Sequence, residues 1–95
     1  VSPKGEIIID GGAEKALKNR KSLLPAGVLK VTGLFKKGDH ILVKNENNIE
    51  CARGLASFSS SEIEKIKGSH SREIKNILGY SSREEIIHKD DMVKL

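Results

Sequence analysis

Short apolar blocks of changing period run along the chain. Gly5-Glu6-Ile7-Ile8-Ile9-Asp10 is a β-branched run between Pro3 and Gly11-Gly12, the pattern of a short buried strand that the double glycine ends. From Ala13 to about Arg20 the period lengthens. Ala13, Ala16 and Leu17 recur at helical spacing and put Glu14, Lys15, Lys18 and Asn19 on the opposite face, which predicts a short amphipathic helix with a basic outer side. Pro25 and Gly27 then fix the entry to a strand over 28–33, where Leu29 and Val31 share one face and Val28, Lys30 and Thr32 the other.

Phe35-Lys36-Lys37-Gly38-Asp39 has turn chemistry, and His40 to Lys44 is the next strand. Asn45 to Asn48 supplies a polar hairpin loop to an antiparallel partner over 49–53, and Gly54 marks a bulge or bend where the strand turns a corner. Ser61 with Glu64 matches a capping box for a helix whose stripe is Ile63 and Ile66 and whose stop is Gly68. Ser71 caps a second helix to Leu78, with Ile74, Ile77 and Leu78 inward and Gly79 as its stop. Both helices are too short to persist without packing on a sheet. The tail predicts a strand at Glu85–His88, a turn at Lys89–Asp91 and a closing strand over 92–95. The pattern β-α-β-β-β-α-α-β-β is mainly β with flanking short helices, an α+β arrangement most economically built as a small mixed barrel.

Length changes this picture by bounding it: 95 residues supply one modest core and a single domain over 1–95, not a cleft between two domains. The opening Val1-Ser2-Pro3-Lys4, without Met, suits a processed chain or, in preference, a fragment of a longer one. The composition is 37% hydrophobic and 32% charged, with no run long enough to span a bilayer and no secretory signal. The lone Cys51 excludes an intrachain disulfide and fits a reducing, cytoplasmic setting, packed as a small hydrophobe beside Ile49 and Leu55. Seventeen Lys and Arg against thirteen Asp and Glu give a formal charge of +4, which favours polyanions. Phe35, Phe58 and Tyr80 are the whole aromatic supply. Any RNA contact therefore falls on phosphates, backbone or helical shape rather than on stacked bases.

The ordered motifs go further. Asp10-Gly11-Gly12-Ala13, Lys21-Ser22-Leu23-Leu24-Pro25-Ala26-Gly27-Val28, Val31-Thr32-Gly33, Phe35 and Gly38-Asp39 resemble the PUA domain of glutamate 5-kinase. So do Ala52-Arg53-Gly54-Leu55-Ala56, Ser59-Ser60-Ser61-Glu62, Ser71-Arg72-Glu73-Ile74 and Ile86-Ile87-His88-Lys89-Asp90, in the right order. Ser22 to Gly27 is the most specific piece, and the resemblance covers nearly the whole chain. It implies a PUA-like mixed β pseudo-barrel, detached from the N-terminal amino-acid kinase domain of an enzyme that phosphorylates glutamate with ATP in proline synthesis. That parent is implied to be a homo-oligomer whose ATP and magnesium belong to the kinase domain, leaving no cofactor, metal or catalytic residue here. The domain would act by packing on the kinase domain and contributing to its regulation or assembly. PUA domains elsewhere bind structured RNA through the first helix, the following glycine-bearing loop and the adjoining strand. That surface corresponds here to Lys15, Lys18, Lys21, Ala26, Gly27 and Lys30, and an RNA-binding module is the alternative function. A plain solvated helix face accounts for the same lysines.

The remaining polar residues have structural readings. Gly11-Gly12 before a helix lacks the Gly-Lys-Ser or Gly-Lys-Thr of a P-loop. Asp39 suits a turn, and Asp10 has no evident nucleophile or proton donor beside it. His40, His70 and His88 are scattered, and His88 with Asp90 and Asp91 makes a poor zinc set. Cys51 has no activating base. Arg53 either points inward to a carboxylate or is turned out at Gly54.

Overall fold

The β-branched run after Pro3 forms β1 (Gly5–Ile9), with Ile7 and Ile9 fully buried. In the computed structural model, which describes residues 2–80 and 83–95, β1 lies within a five-stranded mixed sheet. Its other strands are β2 (Val28–Gly33), β3 (His40–Lys44), β4 (Glu50–Leu55) and β5 (Met92–Lys94), in the order β2-β1-β3-β4-β5. β1 runs parallel to β3, and every other neighbouring pair is antiparallel. The mainly β architecture with flanking short helices is the one the periodicity predicts.

The first helix, α1 (Gly11–Lys18), starts two residues earlier than its apolar spacing suggests. Asp10 is the cause: its Oδ1 accepts from the Ala13 N–H at 2.8 Å. That capping bond, worth about 1 kcal/mol, satisfies one of the first-turn N–H groups that have no helical partner and sets the start at Gly11. The double glycine therefore opens the helix rather than merely ending the strand. At the other end the Arg20 N–H donates to the Leu17 carbonyl and the Lys21 N–H to the Ala16 carbonyl, each at 3.0 Å, while Arg20 takes φ +61°. This is a Schellman stop with arginine where glycine is usual.

β2 departs from simple alternation. Ile9 pairs with Val28 and Ile8 with Lys30, so Leu29 is an extra residue. That bulge turns Val28 into the core and leaves Leu29 46% exposed, which corrects the predicted sharing of one face by Leu29 and Val31. A second bulge lies at Cys51, between the pairs Val43–Ala52 and Lys44–Glu50. The bulge predicted at Gly54 is absent: Gly54 pairs regularly with Ile41 and Met92. Glycine is needed there for close approach, since a Cβ would lie 2.7 Å from the Asp91 carbonyl oxygen and 2.8 Å from Ile87 Cγ2.

The second helix, α2 (Ser60–Ile66), is capped by Ser59 and Glu62, not Ser61 and Glu64. Only that register places buried Phe58 before the cap and buried Ile63 four residues after it, the arrangement of a hydrophobic staple. Burial raises the proton affinity of Glu62, but hydrogen bonds donated by Tyr80 Oη, by the Ser59 N–H and by the Ser59 hydroxyl outweigh it. The carboxyl therefore sits below its ordinary 4.5. The third helix, α3 (Ile74–Leu78), follows a 3-10 turn over Ser71–Glu73 capped by His70, whose Nδ1 accepts from the Arg72 N–H at 3.2 Å. Ser71 is thus not the cap, and Ile77 is 40% exposed rather than inward.

The tail holds a further correction. Glu85–His88 forms no strand beyond the single Leu23–Ile87 bridge. Ile86 and Ile87 are both fully buried, because this segment is threaded between two others. The Ile86 N–H donates to the Leu23 carbonyl at 2.7 Å and the Ser57 N–H to the Ile86 carbonyl at 2.9 Å. Adjacent residues buried on both sides cannot show strand alternation. A 3-10 turn, Lys89–Asp91, then leads into β5. One continuous core links β1, β3, α1, α2, α3 and this tail through residues such as Ile9, Leu17, Ile41, Ile63, Ile74 and Ile87.

Candidate functional site

The segment Leu23–Gly27 is held against the start of α1. The Asp10 N–H donates to the Gly27 carbonyl at 3.0 Å, and Pro25–Gly27 form a 3-10 turn into β2. Gly27 sits so near α1 that a Cβ would collide with Ala13 Cβ and lie 3.4 Å from Asp10 Oδ1. Small residues on both elements thus leave a shallow groove of about 300 Å³, whose lining includes Gly12, Ala13, Ala16, Lys21, Ala26 and Gly27.

Of the six residues predicted for nucleic-acid contact, Lys21, Ala26 and Gly27 meet at this groove. The others do not line it. Lys18 borders the opposite flank of α1, in a groove of about 340 Å³ that also contains Glu14, Ile49 and Cys51. Lys15 is exposed on the helix, and Lys30 is exposed on the edge strand β2 opposite Ile8. The six form a spread surface rather than one cluster.

Glu14, predicted on the outer face, turns inward. Its Oε2 accepts from Asn45 Nδ2 at 3.1 Å and receives the Cys51 thiol at 3.6 Å. Burial first, then the charge and hydrogen bonding of Glu14, push the Cys51 thiol above its ordinary 9.0. The thiol is therefore held protonated and weakly nucleophilic.

A third groove, about 540 Å³, lies at the other end of α1. Arg20 and Lys21 form one wall, and Lys89, Asp90 and Lys94 form the other. Lys94 Nζ donates to the Lys18 carbonyl at 3.2 Å, and the Lys89 N–H donates to Ser22 Oγ at 2.8 Å. These bonds join residues 76 and 67 positions apart. No local motif could have revealed Arg20, Lys89 and Lys94 as neighbours.

The other polar residues take structural roles. Asp39 Oδ2 accepts from the Lys36 N–H at 2.8 Å, closing the predicted turn. Arg53 pairs at 3.5 Å with Glu50 on its own strand, half exposed, which resolves its orientation. His88 Nδ1 accepts from the Asp90 N–H at 3.1 Å. Among the described residues no group of three or more His, Cys, Asp or Glu could hold a metal ion, and no helix is long and apolar enough to cross a membrane.

This fold, with a short helix answered by a glycine-bearing turn and a tail closing the sheet, has a family. The model of the PUA domain matches residues 5–78, and the chain belongs to the PUA domain family. Its sequence is further similar to the C-terminal region of glutamate 5-kinases. It is 65% identical over 95 residues to the glutamate 5-kinase of Pelagibacter ubique, covering 100% of this chain and 26% of that protein. It is 50% identical over 91 residues to that of Aquifex aeolicus, covering 96% and 25%. The chain thus spans about a quarter of the length of the curated relatives it matches. Among solved structures, a PUA domain from Aeropyrum pernix K1 in a tartrate complex superposes with a TM-score of 0.68 at 26% identity, covering 90% of this chain and 41% of that one. The archaeal box H/ACA sRNP Nop10-Cbf5 complex contains a chain with a TM-score of 0.60 at 27% identity, over 62% of this chain and 19% of that one.

Proposed function

We propose that the chain is the non-catalytic accessory domain of an ATP-dependent glutamate 5-kinase of proline biosynthesis. It contributes to regulation or assembly of the kinase by packing against the amino-acid kinase domain. The observation that carries this reading is 65% identity sustained over all 95 residues to a kinase of which the matched segment is 26%. On this reading ATP and magnesium belong to the kinase domain, the parent is a homo-oligomer, and the setting is the cytoplasm. The lone cysteine, Cys51, which has no second cysteine in the sequence to pair with, suits that last point. The test compares the full-length enzyme with its kinase portion alone. Removing this domain is expected to change oligomeric state, metal requirement or inhibition by proline. Indistinguishable properties would overturn the reading, and glutamate phosphorylation by this chain alone would contradict its non-catalytic character.

RNA binding is the second reading, favoured by the groove where Lys21 meets the backbone of Ala26 and Gly27. A structural neighbour belongs to an sRNP complex, which supports the same reading. Titration with tRNA should then be saturable, weaken steeply with added salt and weaken on Lys21→Glu, at the groove, more than on Lys18→Glu, on the opposite flank of α1. Flat titrations would remove it.

A further inference from the structure

We propose that the groove between the C-terminal end of α1 and the turn leading into β5 binds a compact, multiply charged oxyanion carrying a diphosphate or triphosphate group. The inference goes beyond both readings above and rests on neither.

Charge is the first argument. Arg20, Lys21, Lys89 and Lys94 surround the groove, and Asp90 is its one acidic lining residue. Among the described residues none of these four cations makes an ion pair. The ordinary explanation is attraction of cations to a helix C-terminus. That end carries only about half an elementary charge, and the bond from Lys94 Nζ to the Lys18 carbonyl already answers it. Like charges gathered around a concavity focus a field that an anion would neutralise.

Backbone conformation is the second. Arg20 occupies the left-handed position of the helix stop, φ +61°, where glycine has no steric cost. The strained position presents a guanidinium, whose planar fork matches phosphate oxygens. Its opposite wall is also fixed, by the Lys89 N–H to Ser22 Oγ bond and the Leu23–Ile87 bridge. The volume of about 540 Å³ is that of a small-ligand site.

Calorimetric titration of the chain with pyrophosphate, tripolyphosphate and a nucleoside diphosphate, at constant ionic strength, tests this. Saturable one-to-one binding is expected. Equal affinity for pyrophosphate and the nucleotide assigns the site to the phosphates alone, and tighter nucleotide binding adds a contact to the base or sugar. Arg20→Gly should keep or raise the melting temperature while weakening binding roughly tenfold, and Lys89→Gln should weaken it similarly. Lys15→Glu, on the outer face, should change affinity far less. The proposal falls if no oligophosphate binds, if only tRNA binds, or if Lys15→Glu weakens binding as much as Arg20→Gly.

Discussion

The two flanks of α1 are built on opposite principles. One is a contact of small residues, where Ala13 meets the Pro25–Gly27 turn so tightly that Gly27 has no room for a Cβ, with Gly12 and Ala16 lining the groove beside it. The other is polar, with Glu14 reaching across to Asn45 and Cys51. Steric closeness tolerates no added atom, whereas a hydrogen-bonded contact gives way by small increments. The helix is thus positioned by what its first flank lacks and tuned by what its second carries.

Gly27→Ala should break the comparison hardest, because its added methyl meets Ala13. Overpacking of this kind costs about 1–3 kcal/mol, read as a lower urea midpoint. A loss no greater than that of Glu14→Ala would refute the contrast. Asp10→Ala, which removes the cap at the start of both flanks, should cost about 1 kcal/mol in the same assay. Glu14→Ala should cost about 1 kcal/mol or less, by leaving Asn45 Nδ2 without its partner. Smallest should be Lys94→Met, a few tenths of a kcal/mol, since its ammonium only touches the exposed end of the helix.

Protonation sharpens the polar flank separately. Because the folded state holds the Cys51 thiol above 9.0, its contribution to stability is complete below about that pH and is lost as pH rises through the raised value. Glu14→Gln should narrow that window and speed alkylation of Cys51 by iodoacetamide at pH 9. Some elevation should remain, because burial is the larger cause. An unchanged alkylation rate would show that Glu14 does not govern the thiol.

How far the sequence was legible follows the range of the interactions. β1, the hairpin of β3 and β4 and the stop at Gly79 depend on neighbours within a few residues, and the apolar pattern displays them. The Ser59 cap needed Phe58 and Ile63 to be weighed together with the serine. The bulges at Leu29 and Cys51 are set by pairing across strands, so a strict two-residue period misassigns the faces beside them. Ile86-Ile87 reads as a strand because burial from two sides resembles strand composition. Lys21, Ala26 and Gly27, named among six residues by the family resemblance, share one groove because they flank a single turn. Arg20 with Lys89 and Lys94 was hidden because the tail returns to α1 across most of the chain.

That return has a consequence in time. β1 to β4 all precede Lys89 in the sequence, ending at Leu55, and β1 lies between β2 and β3. β5 has three residues and one neighbour, β4. It is the strand expected to open first in native-state amide exchange, well below the energy of global unfolding. The cationic wall carried by Lys89 and Lys94 opens with it, so a captured oxyanion should appear as slower exchange at the β5 amides while those of β1 stay unchanged.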